Sequence, residues 1–319
     1  MKRIITLLVI FSMFCIVPSS LYSADQSSAP FSVVIVGSGC PVYNAARSGP
    51  SALVQYGDKN YLVDVGNGTQ ARLNALGLTI RDLTGILITH HHLDHNEEFI
   101  PLYISACLAG GQVEFIGPPG TKSLADFILK FYAEDIAYRL GPRDIKNNTP
   151  SVMEINGGDT FSLGRIKVTT AEVNHTIYTV AYRFDVEGKS IAISGDTAYS
   201  ENLVKLARDV DVLIMDSGGS IVPKRGTGMN KDVNIQRPKM QRTNMQRRPG
   251  NAPGRTGPQK AHATMQEVGE MAAKAGVKKL VLTHILPGEV DEKATRAALS
   301  NYYSGDVVVA YDGLKITVP

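Results

Sequence analysis

Long apolar runs and cysteines are both scarce in this 319-residue chain. Three cysteines are too few for a disulfide-dense scaffold. The one substantial apolar run, the 14 residues from Ile4 to Val17, would make a helix of about 21 Å, short of the roughly 30 Å hydrocarbon core of a bilayer. It follows Lys2-Arg3, is broken by Pro18-Ser19-Ser20, and leads to Leu21-Tyr22-Ser23 before Ala24, a cleavage site with a small last residue. Residues 1–23 therefore read as a secretory signal, with an uncleaved anchor as the alternative, and predict a periplasmic or secreted protein that no longer touches the membrane after cleavage. Phe14 before Cys15 speaks against a lipoprotein site. Cleavage leaves Cys40 and Cys107, which permit one disulfide without establishing it. No internal repeat is evident.

Acidic residues are missing from one segment. Between Ser220 and Lys260 there are ten Lys/Arg and only Asp232, a net of +9; with Lys2 and Arg3 set aside, the remainder holds 21 basic against 29 acidic residues, a net of −8. The segment has little apolar periodicity, so burial cannot offset its ordering entropy and a mobile loop is expected. It is either a solvated insertion or a basic arm that draws anionic substrates to a site. Elsewhere the composition, 43% hydrophobic and 20% charged, is that of an ordinary soluble globular protein. The length suits one large domain or two small ones.

The apolar pattern alternates between strand and helix periods. Strands are expected at Phe31 to Val36, at Ser51 to Tyr56 and Tyr61 to Val65 around a Gly57-Asp58-Lys59-Asn60 turn, at Gly85 to Thr89, and at Val113 to Ile116. Helices are expected over Thr69 to Leu76, over Glu97 to Leu108 despite Pro101 in its first turn, and over Leu124 to Leu140. A β-rich series from Val152 to Ile193 follows, then a helix over Glu201 to Arg208, a strand over Val212 to Met215, a helix over Thr264 to Ala275 and a strand over Lys279 to Thr283. A helix over Glu292 to Tyr302 and two strands within Val307 to Val318 end the chain. Two β-rich halves, each followed by helices, suggest two packed sheets with helices on their outer faces.

The chemistry is concentrated in Thr89-His90-His91-His92-Leu93-Asp94-His95, directly after the apolar run Ile86 to Ile88. His90 and His92 alternate as if leaving a strand, and Asp94 and His95 follow where the chain would turn. This spacing suits two neighbouring metal sites better than one, and neutral imidazoles with a carboxylate are what Zn²⁺ takes. The alternative is a polar turn closing a buried strand. The remaining histidines, His175, His262 and His284, and Asp196 in Ser194-Gly195-Asp196-Thr197, are also read as placed where strands run out, so that one sheet edge could present them to a shared cleft. His91 points away from its neighbours in an alternating geometry and is read as structural.

These motifs resemble the metallo-β-lactamase fold superfamily, in particular its ribonuclease Z and arylsulfatase-like phosphodiesterase branch. His90-His91-His92-Leu93-Asp94-His95 matches the family's His-x-His-x-Asp-His motif, and Asp64-Val65-Gly66-Asn67-Gly68-Thr69-Gln70 looks like the first ribonuclease Z motif. The resemblance covers nearly all of residues 30–319 apart from the basic insertion at 220–260. It implies an α/β fold, a four-layer αββα sandwich, with two zinc ions at the sheet edge; manganese or iron could replace zinc. One ion would take His90, His92 and His175, the other Asp94, His95 and His284, with Asp196 bridging. A hydroxide held between the ions would be the nucleophile. By the same analogy Asp94 is catalytic as well as a ligand, and His262 faces the departing group as a general acid or as a donor to developing charge. Asp64 is a candidate acceptor that fixes a ligand histidine's tautomer.

The substrate is narrower than the fold implies. Ribonuclease Z enzymes carry a tRNA-gripping arm between the positions matching His175 and Asp196; here 21 positions separate them, enough for two strands and no arm. An export signal also removes the chain from tRNA precursors. True β-lactamases place cysteine or serine where Asp196 stands. The expected function is thus an exported dinuclear zinc hydrolase of phosphodiesters or related sulfate esters, acting on a small anionic ester, with nucleic acid not favoured and a homodimer open. The alternatives are a ribonuclease Z-like endonuclease, a β-lactamase, a lactone or thioester hydrolase, and a secreted metal- or polyanion-binding protein without activity.

Overall fold

A computed structural model describes residues 29–218, 221–224 and 260–319. The expected signal sequence and most of the basic segment lie outside these. Strands β1 (Phe31–Gly37), β2 (Ser51–Tyr56), β3 (Lys59–Val63), β4 (Gly85–Leu87), β5 (Glu114–Gly117) and β6 (Val152–Glu154) form one sheet. Strands β7 (Thr160–Leu163), β8 (Ile166–Val173), β9 (Thr179–Val186), β10 (Lys189–Ile193), β11 (Val212–Asp216), β12 (Lys279–Thr283) and β13 (Asp306–Val309) form the other. The last strand, β14 (Leu314–Thr317), returns to the first sheet beside β1. The orders are β14-β1-β2-β3-β4-β5-β6 and β13-β12-β11-β10-β9-β8-β7. Pairing is parallel from β3 to β6 and from β10 to β13, and antiparallel elsewhere.

Every residue of β1 and β11 is buried, as both faces of each sheet are covered. Period-two alternation sends Val33 and Ile35 to the layer between the sheets, with Val54, Tyr182, Phe184, Ile191, Ile214 and Val281. Val34 and Val36 turn to the other face, where Ile86 and Phe115 meet helices Phe99–Ala109, Thr121–Phe131 and Ala133–Leu140. Leu213, Met215, Leu280 and Leu282 likewise meet helices Glu201–Leu206, Met265–Ala275 and Glu292–Leu299. Three apolar layers separate four structural ones, the αββα arrangement.

Two elements differ from the sequence pattern. The helical stretch expected over Leu124 to Leu140 is two helices broken at Tyr132. A straight helix there would run about 25 Å; the break lets Ile136 and Leu140 reach the same apolar layer as Ile128. The two closing strands belong to different sheets, so the tail straps the sandwich together. Cys40 and Cys107 are both free and buried. Among the described residues no helix is long and apolar enough to cross a membrane.

Candidate metal centre

β4 is held in parallel pairing between β3 and β5, and the chain leaves the sheet just beyond it. Tyr182 of β9 donates its hydroxyl to Ile88 O at 2.7 Å, and Val180 N donates to Thr89 O at 3.0 Å. Both bonds tie the second sheet to the base of the histidine cluster. A four-residue helix, Leu93–Asn96, then swings His95 back under His90, their rings 4.1 Å apart.

The seven ligand candidates come together as two groups that share Asp196. His90, His92, His175 and Asp196 place one donor atom each within 4.8 Å of one another, and so do Asp94, His95, Asp196 and His284. In the first group His92 Nδ1 lies 3.1 Å from His90 Nε2 and 3.0 Å from His175 Nε2. In the second, His284 Nε2 lies 3.2 Å from Asp94 Oδ2 and 3.5 Å from Asp196 Oδ2. His95 Nε2 and Asp196 Oδ1 are 3.1 Å apart, yet both are buried without a hydrogen bond. Buried polar atoms left without partners are costly. A cation between them resolves the cost, so the residues present fit a divalent metal pair.

The far side of four of the imidazoles is also committed, which sets the nitrogen left for a metal. His95 Nδ1 donates to Asp64 Oδ2 at 2.8 Å, and Asp64 also accepts from Thr89 N at 2.8 Å and Thr89 Oγ1 at 2.9 Å. His175 Nδ1 donates to Ala261 O at 2.7 Å. His90 Nδ1 sits 2.9 Å from Thr89 Oγ1, and His92 Nε2 sits 3.3 Å from Thr176 Oγ1. Asp64 and His284 both take left-handed backbone, at φ 61° and 57°. For non-glycine residues that conformation stores strain and marks functional sites.

Electrostatics divide the histidines. Burial opposes charge on His95 and His284, but Asp196 beside them outweighs it and raises both, His95 well above the usual value. A metal bound there would displace protons. Burial pushes the His90 imidazole well down, and it also lowers His92 and His175. Burial opposes charge on Asp196, but His95, His284 and His90 around it outweigh this and hold its carboxyl well below the usual range.

His262 stands beside both groups, its ring 5.6 Å from that of His175 and 5.3 Å from that of His284. It follows no strand; it lies just before Thr264, which caps helix Met265–Ala275. Its Nδ1 donates to Asp216 Oδ2 at 2.7 Å. That hydrogen bond, against a smaller effect of burial, raises the imidazole's pKa. Sequence reasoning did not single out Asp216 as part of the site. It is 2% exposed, ends β11, and also accepts from Thr197 N and Gly218 N. The signal was present: Asp216 closes an apolar strand as Asp196 nearly does. A side chain at Gly218 would put its Cβ 2.3 Å from His262 Cβ, so glycine makes room for the ring. His91 faces away, within 3.2 Å of Asn96 Nδ2 and Thr121 Oγ1.

The model of the β-lactamase superfamily domain matches residues 59–285. A ribonuclease Z of Mycobacterium bovis is 28% identical over 297 residues, covering 90% of this chain and 98% of the relative. Among solved structures, the metallo-β-lactamase fold protein YhfI of Bacillus subtilis aligns with a TM-score of 0.66 at 18% identity, over 91% of this chain and 99% of its own. The short form of human tRNase Z aligns with a TM-score of 0.62 at 20% identity, over 90% and 99%.

Proposed function

Because the chain belongs to the metallo-β-lactamase superfamily and its donors form two groups sharing one carboxylate, we propose that it is an exported dinuclear zinc hydrolase of phosphodiesters. The shared position of Asp196 carries this reading, since one carboxylate facing two donor groups would suit two cations side by side. Imidazole and carboxylate suit zinc, and manganese or iron would also accept them. His90, His92 and His175 would hold one ion, Asp94, His95 and His284 the other. Two bound divalent ions supply Lewis-acid activation of water and of the ester.

The chain's own residues do the rest. Asp64 and Ala261 O fix the tautomers of His95 and His175 through their Nδ1 protons. Asp216 holds the proton on His262 Nδ1, so Nε2 is the nitrogen that hands a proton to the departing oxygen. The hydrogen bond to Asp216 raises the His262 pKa, which favours the protonated form.

Two observations bear on substrate. Relatives named ribonuclease Z support phosphodiester chemistry. Between His175 and Asp196, however, the chain contains only β9 and β10, joined at Glu187 and Gly188, with no inserted arm to grip a folded RNA. Small esters are therefore preferred, and sulfate esters are the related class. The residues that flank the basic segment, Asp216–Gly218 before it and Ala261–His262 after it, lie at the metal edge. A segment of net charge +9 joined there would raise the local concentration of anionic substrates.

The test is turnover of bis-p-nitrophenyl phosphate, p-nitrophenyl sulfate, nitrocefin and a short oligonucleotide, each with and without chelator. Chelator-sensitive hydrolysis of the phosphodiester is expected to exceed the others. Nitrocefin turnover alone, or no chelator-sensitive phosphodiester hydrolysis, would overturn the reading.

A further inference from the structure

The mouth of the metal centre is unusually apolar for a site that handles anions. Leu93, between His92 and Asp94, is 71% exposed, and Leu286, two residues after His284, is 53% exposed. Tyr43 is 69% exposed and shares a shallow cleft with Val42, Asn44, Asn67, Glu97 and the metal-side carboxylate Asp94. Tyr43 and Asp94 line one cleft, which puts an exposed aromatic ring beside a candidate metal ligand.

The loop carrying Tyr43 is held in place. Gly39 N donates to Ser48 O at 2.8 Å, and the buried Asp312 accepts from Ser38 N at 2.9 Å and Ser48 N at 2.7 Å. The Tyr43 hydroxyl donates to Glu97 Oε1, two residues beyond the ligand His95. Its edge is thus anchored across the mouth while a ring face stays open. The cleft's described cation, Arg47, is spent on Ser38 Oγ and Ala310 O at 2.8 and 2.7 Å, so the cleft is not built for a second phosphate.

We propose that Tyr43 is a stacking platform for a flat aromatic group on the substrate, next to the ester that the metal centre cleaves. This rests on the phosphodiesterase reading and narrows it to diesters that carry an aryl ring or a nucleobase. An aromatic ring on an anchored side chain binds such a group with little ordering cost, and stacking tolerates any planar ring. Which of the two sources is used is decided by the substrate arms below.

The experiment uses the metal-loaded full chain and three substrates with one leaving group: methyl p-nitrophenyl phosphate, bis-p-nitrophenyl phosphate and thymidine 5′-p-nitrophenyl phosphate. The wild type is expected to prefer one or both aromatic diesters over the methyl diester in kcat/KM, with the difference in KM. Tyr43→Ala should cut that preference roughly tenfold, the scale of one lost stacking contact, and Tyr43→Phe should keep most of it. Calorimetric binding of phenylphosphonate relative to methylphosphonate should move in parallel. If no phosphodiester is turned over, the proposed function itself fails. If diesters are cleaved but the preference is absent, or survives Tyr43→Ala, or falls equally in Tyr43→Phe, the platform is overturned and the phosphodiesterase reading stands.

Discussion

Asp64 and His95 are 31 positions apart and meet at 2.8 Å, Oδ2 to Nδ1, inside the body of the protein. The same carboxylate closes two bonds to Thr89, so one side chain fixes both the strand exit and a metal-facing imidazole. Asp64→Asn keeps a residue that tolerates the left-handed backbone at φ 61°, but it removes the charge that orients His95. Metal affinity should fall by about 10–100-fold, the usual cost of losing such a partner. Competition with a chromophoric chelator measures this; an unchanged affinity would remove Asp64 from the site.

Protein purified without chelator should hold about two equivalents of metal, as a two-metal site requires. Elemental analysis decides it. A reproducible value of one or less is incompatible with two groups sharing Asp196.

His262→Ala should retain both metals yet lose turnover by about 10²–10⁴-fold, most for poor leaving groups. His262 also belongs to a third possible donor group with Asp196, Asp216 and His284. Loss of a metal in this variant would make it a ligand and sink the general-acid role.

Asp216→Asn should move the alkaline limb of the pH–rate profile toward lower pH. The hydrogen bond to Asp216 raises the His262 pKa, so the acid form persists above the usual 6.5; removing the charge lets the proton leave earlier as pH rises. A limb that stays in place with Asp216→Asn would show that another group titrates there.

Asp211 lies far from the metals, at the start of β11. It accepts from Ser190 N and from Lys278 Nζ, both at 2.7 Å. Burial opposes its charge, but these partners outweigh it and lower its pKa from 3.8. A lowered folded pKa contributes stability that is present above the unfolded value and lost as pH falls through the folded one. Asp211→Asn should therefore cost about 1–2 kcal/mol at neutral pH, and less once the pH falls well below 3.8. Urea midpoints at neutral and acid pH test the sign; a larger gap at the acid end contradicts it.

The sequence by itself determined the strand-then-cluster pattern at Ile86 to His95, because alternation and donor spacing are local properties, written within a few residues of each other. The αββα class and the full set of seven ligand candidates were implied by the resemblance of its motifs to a known superfamily. The partner of His262 was not legible: Asp216 is 46 positions away, and nothing local separates it from any acidic residue that closes a strand. Nor did local pattern show that the last two strands enter different sheets, or that the helix after Gly120 breaks at Tyr132. Those outcomes depend on which apolar layer each element can reach once both sheets are stacked. The partners of Asp64 were hidden in the same way: its three donors, Thr89 N, Thr89 Oγ1 and His95 Nδ1, converge on it only when the sandwich is closed.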